Sequence, residues 1–487
     1  MTAAASGGGL GEAAVRGMAW TGIERLLSTA GRFAVGVVMA RMLLPSDFGA
    51  VGILAIFLTL ADAIADGGFA TALIQRQDRT ETDWTTAFRY NVAAALVMSG
   101  TLFAVAPAVA AFFRLSELTP IMRALAAMVA LNGFAGIQFT RLTVELRFRA
   151  LAFINLAYLA VSAAVGISIA ACGGGPWAIV GQLTAGSLSN LLLAWTVSRW
   201  RPGASFSRES FRRLSSFGFR HVGASIANAL YVDLYALVAG KAFGAAEIGH
   251  FNRAGNFAAV PADVVTGVVT KVNYPILSRL QDDPERLRHA FRRLLRVPMF
   301  LLVPALAGLA VVAGPLVRVL IGERWIPCVP LMQVLCAGTV FLPMAALNVS
   351  LLYVKGRTDL VLRLELIKRP IGFALLFGML PFGLFWMCAG KALFEFIVYC
   401  VNSRHARAMT GYGILAQLRD VLPFAGYAAV MCAAMFAVMH AFALPFIQLI
   451  AAVAAGTTVY LFTAFICRDE ALSELVAILR RRFRMFG

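Results

Sequence analysis

Apolar runs of about twenty residues, each closed by a short polar connection, recur fourteen times along the chain. They fall at 17–40, 48–73, 88–113, 119–139, 150–172, 175–198, 215–240, 254–275, 295–317, 327–352, 361–381, 384–402, 421–440 and 444–466. A helix of ~20 residues crosses the ~30 Å hydrocarbon layer, so the pattern predicts an all-α polytopic membrane protein of about fourteen transmembrane helices. The first run is read as an uncleaved anchor, because no polar segment with a cleavage motif follows it.

Arginine and lysine fix the expected orientation. With the N-terminus placed in the cytoplasm, 29 basic residues fall in the even connections and the C-terminal tail, against seven on the opposite side. A miscount of one helix midway would have scrambled that alternation, so both termini are expected to be cytoplasmic. The opposite-side connections 172–177, 381–385 and 440–445 carry no charged residue and leave no room for an extracytoplasmic catalytic domain.

A repeat runs through the pattern. Shifting the chain by 200 residues superposes Arg41 on Lys241, Asp47 on Glu247, Gly49 on Gly249 and Phe57 on Phe257. Six helices separate the copies, so both start on the same side of the membrane. Parallel repeats of this kind are a transporter architecture. They imply a six-helix bundle over 1–200, a basic, Ser-rich linker over 201–216, a second bundle over 217–402, and two extra helices with a basic tail over 403–487.

Composition agrees: 60% of the 487 residues are hydrophobic and 14% charged, far from the ~25% charged residues of soluble domains. The formal charge of +18 is spread over connections, not gathered into a patch, which argues against nucleic acid. Seven cysteines and five histidines are scattered without metal-ligand spacing, so no metal and no cofactor is expected. The chain lacks a Walker-A pattern.

Ionisable residues inside the runs carry the candidate chemistry, since each costs ~2.5–3.5 kcal/mol at mid-membrane on insertion scales. Arg25 and Arg32, two turns apart with Ser28 between them, share a face of the first helix. Asp62 and Asp66 lie one turn apart on the second, followed by Gly67-Gly68, which reads as a flexible hinge. Glu24, Asp233, Asp263, Lys271, Lys368, Arg369, Lys391 and Glu395 are further such residues. A cationic cavity suits a phosphate-bearing ligand, because guanidinium offers paired donors; Arg25, Arg32, Lys271, Lys368 and Arg369 are its candidate residues. Asp62, Asp66 and Asp233 are candidate sites for a coupling ion.

The run Ala40-Arg41-Met42-Leu43-Leu44-Pro45-Ser46-Asp47-Phe48-Gly49, with Ala65-Asp66-Gly67-Gly68-Phe69 and Leu73-Ile74-Gln75-Arg76, resembles polysaccharide-export flippases of the MOP superfamily. Phe251-Asn252-Arg253-Ala254-Gly255-Asn256 and Tyr274-Pro275-Ile276-Leu277-Ser278-Arg279-Leu280-Gln281 are similar to that family's second half. The resemblance implies a V-shaped pair of bundles with alternating access, in a bacterial inner membrane. It implies an undecaprenyl-diphosphate-linked oligosaccharide as substrate, and a basic cavity to which Arg25, Arg32 and Lys271 correspond by position. Membrane lipids, a polysaccharide polymerase and chain-length proteins are the expected partners. A cation-coupled drug exporter would prefer an acidic, aromatic cavity. A membrane polymerase or glycosyltransferase needs a large extramembrane loop; a scaffold in a synthesis complex is the remaining reading.

Overall fold

The computed structural model describes residues 27–476, apart from some side chains within 217–233 and 267–275 and those of 358 and 362. The described chain is helical and has no strand. It begins with a helix over 27–42 (α1), then α2 (Pro45–Asp66), α3 (Phe69–Gln75), α4 (Glu81–Phe113), α5 (Leu118–Val144), α6 (Phe148–Ala171), α7 (Trp177–Ser198), α8 (Arg208–Phe243) and α9 (Ala245–Arg279). There follow α10 (Pro284–Val311), α11 (Ala313–Leu320), α12 (Cys328–Thr339), α13 (Phe341–Val354), α14 (Thr358–Met379), α15 (Leu384–Ser403), α16 (Ala406–Thr410), α17 (Ile414–Ala441) and α18 (Pro445–Ile466). Ten described stretches are long and apolar enough to cross a membrane. All fourteen expected runs overlap helix where they are described.

Three expected runs are broken, each for a local reason. The run 48–73 stops at Gly67 and Gly68, whose φ of 58° and 70° leave the right-handed helix and favour glycine. This is not an open hinge. A Cβ on Gly68 would stand 2.4 Å from the carbonyl oxygen of Gly218, and one on Gly67 would stand 2.2 Å from the Tyr90 ring. The Asp66 carboxylate accepts the Gly68 N–H at 3.2 Å and caps the break. The run 327–352 divides at Val340, where Pro343 has no N–H to continue the ladder to Thr339. The run 295–317 belongs to a longer α10, which starts at the Asp283 cap and stops at Val311 before α11.

Two compact units divide the chain between Gly249 and His250. The first takes in α8, which packs on α2, α3 and α4. Residues 201–207 are no loose tether there. Gly203 and Ser207 donate their N–H groups to Thr85 and Thr86, and Arg89 donates to the Ala204 carbonyl at 2.6 Å. Trp200 is buried with Phe69, Trp84 and Phe88, and its indole N–H donates to Glu81, which also holds Arg141 at 2.9 Å. The Asp83 carboxylate, wholly buried, closes the cap of α4 with Thr80 and accepts from Arg213 at 2.5 Å.

The repeat has a structural meaning in the same unit. Pro45 and Ala245 open α2 and α9, so Asp47 and Glu247 both occupy the third position, where a carboxylate meets free N–H groups and the positive end of the helix dipole. Asp47 accepts the Leu44 N–H at 2.8 Å. The two glycines then meet the opposite helix start. A Cβ on Gly49 would lie 1.6 Å from the Ala245 carbonyl oxygen, and one on Gly249 would lie 2.0 Å from that of Pro45. The 200-residue shift carries each contact onto the other, Gly49 onto Gly249 and Pro45 onto Ala245, so the joint is pseudo-two-fold.

In the second unit, α17 and the segment that follows α18 are laced to α10 by charge. Arg292 grips Asp420 at 2.7 and 3.0 Å, Arg293 reaches Glu474 at 2.8 Å, and Arg296 reaches Asp469 at 3.2 Å. Asn348 and Gln417 exchange buried amide hydrogen bonds at 3.0 and 3.1 Å.

Candidate functional site

Four helices of the first unit turn one face each toward a shared polar cavity of ≈ 390 Å³. α1 contributes Ser28 and Arg32, and α5 contributes Met128 and Asn132, each pair spaced i,i+4. α6 contributes Asn155, Tyr158 and Leu159, and α7 contributes Leu183, Ser187 and Asn190, again at helical spacings. The helices are mostly apolar, so the polar residues concentrate on this interior stripe while leucine and phenylalanine cover the outside. Arg32 makes no ion pair among the described residues. Among the described residues its guanidinium faces a ring of amides and hydroxyls, which can donate and accept, and no carboxylate lines the cavity.

Asn132 joins this cavity to Asp62. Its amide nitrogen lies 3.4 Å from both carboxylate oxygens, so α5 bridges the arginine wall of α1 and the acid of α2. Asn190 lines the same space, and its amide oxygen is buried with no hydrogen-bond partner among the described residues. A buried amide oxygen without a donor costs ~1–3 kcal/mol, and a ligand hydroxyl entering the cavity would supply one.

The other candidates are dispersed. Asp66 serves the α2–α3 break described above. Lys368, buried on α14, donates to Glu365 and, at 3.1 Å, to Asn402; Arg369 reaches the same Glu365 at 3.2 Å. These two cations of the second unit thus share one carboxylate. Arg25 lies outside the described residues, as do the side chains of Asp233 and Lys271. Phe251 and Arg253 of the family-like motif pack inside the second unit, with Lys391 5.2 Å from the Phe251 ring centre and the Arg253 guanidinium 5.3 Å from that of Trp325. Among the described residues no three His, Cys, Asp or Glu side chains lie together as metal ligands.

Charge drew the sequence reading to Arg32 and Asp62 but passed over Asn132, Asn155, Asn190 and Tyr158. A signal existed. Each asparagine sits inside an apolar run, where an amide lacks water and needs a partner from another helix.

The comparisons with known proteins agree with this picture. A family model described as polysaccharide biosynthesis protein matches residues 38–330. The lipopolysaccharide biosynthesis protein WzxC of Escherichia coli (strain K12) is 29% identical over 365 residues, covering 74% of this chain and 73% of that protein. The succinoglycan biosynthesis transport protein ExoT of Rhizobium meliloti (strain 1021) is 24% identical over 486 residues, 96% of each chain. Among solved structures, the lipid II flippase MurJ in an inward closed conformation aligns with TM-score 0.75 at 13% identity, covering 93% of this chain and 99% of that one. An inward-facing multidrug resistance MATE transporter of the MOP superfamily aligns with TM-score 0.59 at 14% identity, covering 84% and 98%. With its apolar helices, its MOP-type fold and a family match over more than half its length, the chain is a multi-pass membrane protein that belongs to the polysaccharide biosynthesis protein family.

Proposed function

We propose that the protein is a transporter that flips an oligosaccharide linked to a polyprenyl diphosphate across the bacterial inner membrane, by alternating access. The observation that carries this reading is Arg32, set within apolar helices in a ring of amides and hydroxyls. Guanidinium matches a phosphate oxygen pair, and asparagine, serine and tyrosine match sugar hydroxyls. The names of the relatives, which concern lipopolysaccharide and succinoglycan, support the same class of cargo. A cavity serving a lipophilic cation would call for an unpaired carboxylate where this one presents a guanidinium.

In this reading the moving bundles are 1–200 and 217–402, joined through 201–216, with 403–487 supplying the additional helices and tail. Arg25, Arg32, Lys271, Lys368 and Arg369 meet the diphosphate at different stages of passage. Arg32 ranks first, because Lys368 and Arg369 already share Glu365. Asp62, with Asp66 and Asp233 as the other candidates, takes the coupling cation. Asn132 links that acid to the cargo cavity. Both termini lie in the cytoplasm, and a polymerase and chain-length proteins receive the flipped unit outside.

The test is flux of a fluorescent polyprenyl-diphospho-oligosaccharide in proteoliposomes, divided by inserted protein. A charge-assisted contact is worth ~1.5–3 kcal/mol, so Arg32→Ala should weaken cargo binding about tenfold or more, with partial recovery in Arg32→Lys. Normal specific flux in Arg32→Ala would remove Arg32 from the cargo path. Absence of flux by the wild-type protein, with this cargo and an imposed cation gradient, would sink the flippase reading.

A further inference from the structure

A second charged cavity, of ≈ 590 Å³, opens in the second unit between the start of α10 and the start of α17. Arg288 and Arg292 come from α10, Arg419 and Asp420 from α17, and Glu285 and His289 complete the polar lining. Three guanidinium groups thus face two carboxylates. Arg292 is committed to Asp420, which also accepts the Tyr412 hydroxyl at 2.5 Å. Arg288 and Arg419 are exposed and make no ion pair among the described residues.

The surroundings of Arg419 identify what this pair faces. Leu422 lies three residues after it on the same helical face, one turn deeper into the apolar run 421–440, and is 69% exposed. On a helix that crosses a membrane, such a face meets acyl chains. Arg419 therefore stands where hydrocarbon gives way to the polar cavity. The arginine bias of the connections assigns this end of the helices to the cytoplasmic leaflet.

We propose that the cavity binds the headgroup of an anionic phospholipid, its phosphate between Arg288 and Arg419 and its acyl chains running inward from Leu422. Guanidinium pairs recognise phosphate by paired hydrogen bonds as well as by charge, and basic pockets between membrane helices bind anionic headgroups. The exposed apolar face that starts at Leu422 distinguishes a lipid from a soluble phosphate, which would gain nothing from it. Held there, the lipid braces α10 against α17 beside the Arg292–Asp420 pair and stabilises the docking of the last helices.

The experiment is thermal unfolding of the full-length protein in neutral detergent, titrated with phosphatidylglycerol, with phosphatidylcholine and with inorganic phosphate. Phosphatidylglycerol should raise the midpoint saturably, and the other two should not. In Arg288→Gln/Arg419→Gln the concentration needed should rise about thirtyfold, from roughly five- to sixfold per arginine near an anionic surface. Arg208→Gln, an exposed arginine of the first unit, should behave as wild type. Should the double variant fail to fold, Arg419→Gln alone should show about a fivefold rise, and Arg419→Lys a smaller one. An unchanged phosphatidylglycerol titration in the variants would overturn the proposal. So would stabilisation by inorganic phosphate equal to that by the lipid.

Discussion

Replacing Gly49 by alanine adds one methyl group at the joint where α2 and α9 begin, and the structure gives the size of the conflict. The new Cβ would sit 1.6 Å from the Ala245 carbonyl oxygen and 2.9 Å from its Cα. A carbon and a carbonyl oxygen approach to ~3.3 Å at best, so the two helix starts must separate by about 1.7 Å along that line. The obstacle is backbone, and no rotamer change relieves it. Overpacking of this kind costs ~1–3 kcal/mol, and the upper value applies because the opposing atom belongs to a helix N-terminus. At ~3 kcal/mol the close-packed joint is disfavoured by about 150-fold. A transporter that must pass through this arrangement in each cycle would lose flux accordingly, with insertion unaffected. The assay pairs specific flux with electron paramagnetic resonance of spin labels at Met42→Cys and Ala242→Cys, with the exposed Cys172 and Cys467 replaced by serine. Gly49→Ala should broaden and lengthen the separation and lower flux; Gly249→Ala should do the same, since its methyl would meet Pro45 at 2.0 Å. Gly100→Ala, which meets nothing within 4 Å, should do neither. Unchanged separation and flux in both joint variants would refute the reasoning.

Three further outcomes follow from named contacts. Asp83→Ala removes the cap partner of Thr80 and leaves Arg213 only the more distant Asp78, at 3.9 Å; unfolding in detergent should show a loss of about 2–3 kcal/mol, and an unchanged midpoint would contradict it. Asn348→Leu should cost about 1 kcal/mol by leaving the Gln417 amide oxygen without its donor, with the Asn348→Leu/Gln417→Leu double variant costing less than the two single changes combined. A membrane-impermeant thiol reagent applied to intact cells should label Ala443→Cys and spare Ser205→Cys, in a background without Cys172 and Cys467; labelling of Ser205→Cys would reverse the orientation.

The sequence by itself determined that the chain is a bundle of membrane helices and where nearly every helix lies. Crossing hydrocarbon demands ~20 apolar residues with internally satisfied backbone, and that demand is local enough to be written in each run. It also disclosed the 200-residue repeat, because a helix start needs its acid at a set position whatever it packs against. What Gly49 is for could not be read locally: its partner, Ala245, lies 196 residues away, and only the fold brings the two backbones into contact. The same holds for Gly67-Gly68. Two consecutive glycines read as freedom, whereas packing against Tyr90 and Gly218 turns them into a rigid break. At the cavity, charge made Arg32 and Asp62 conspicuous. Asn132, Asn155 and Asn190 carry no charge, and nothing within their own helices shows that they converge. Tertiary structure decided that, because an amide's role in a membrane depends on which polar groups neighbouring helices bring within reach.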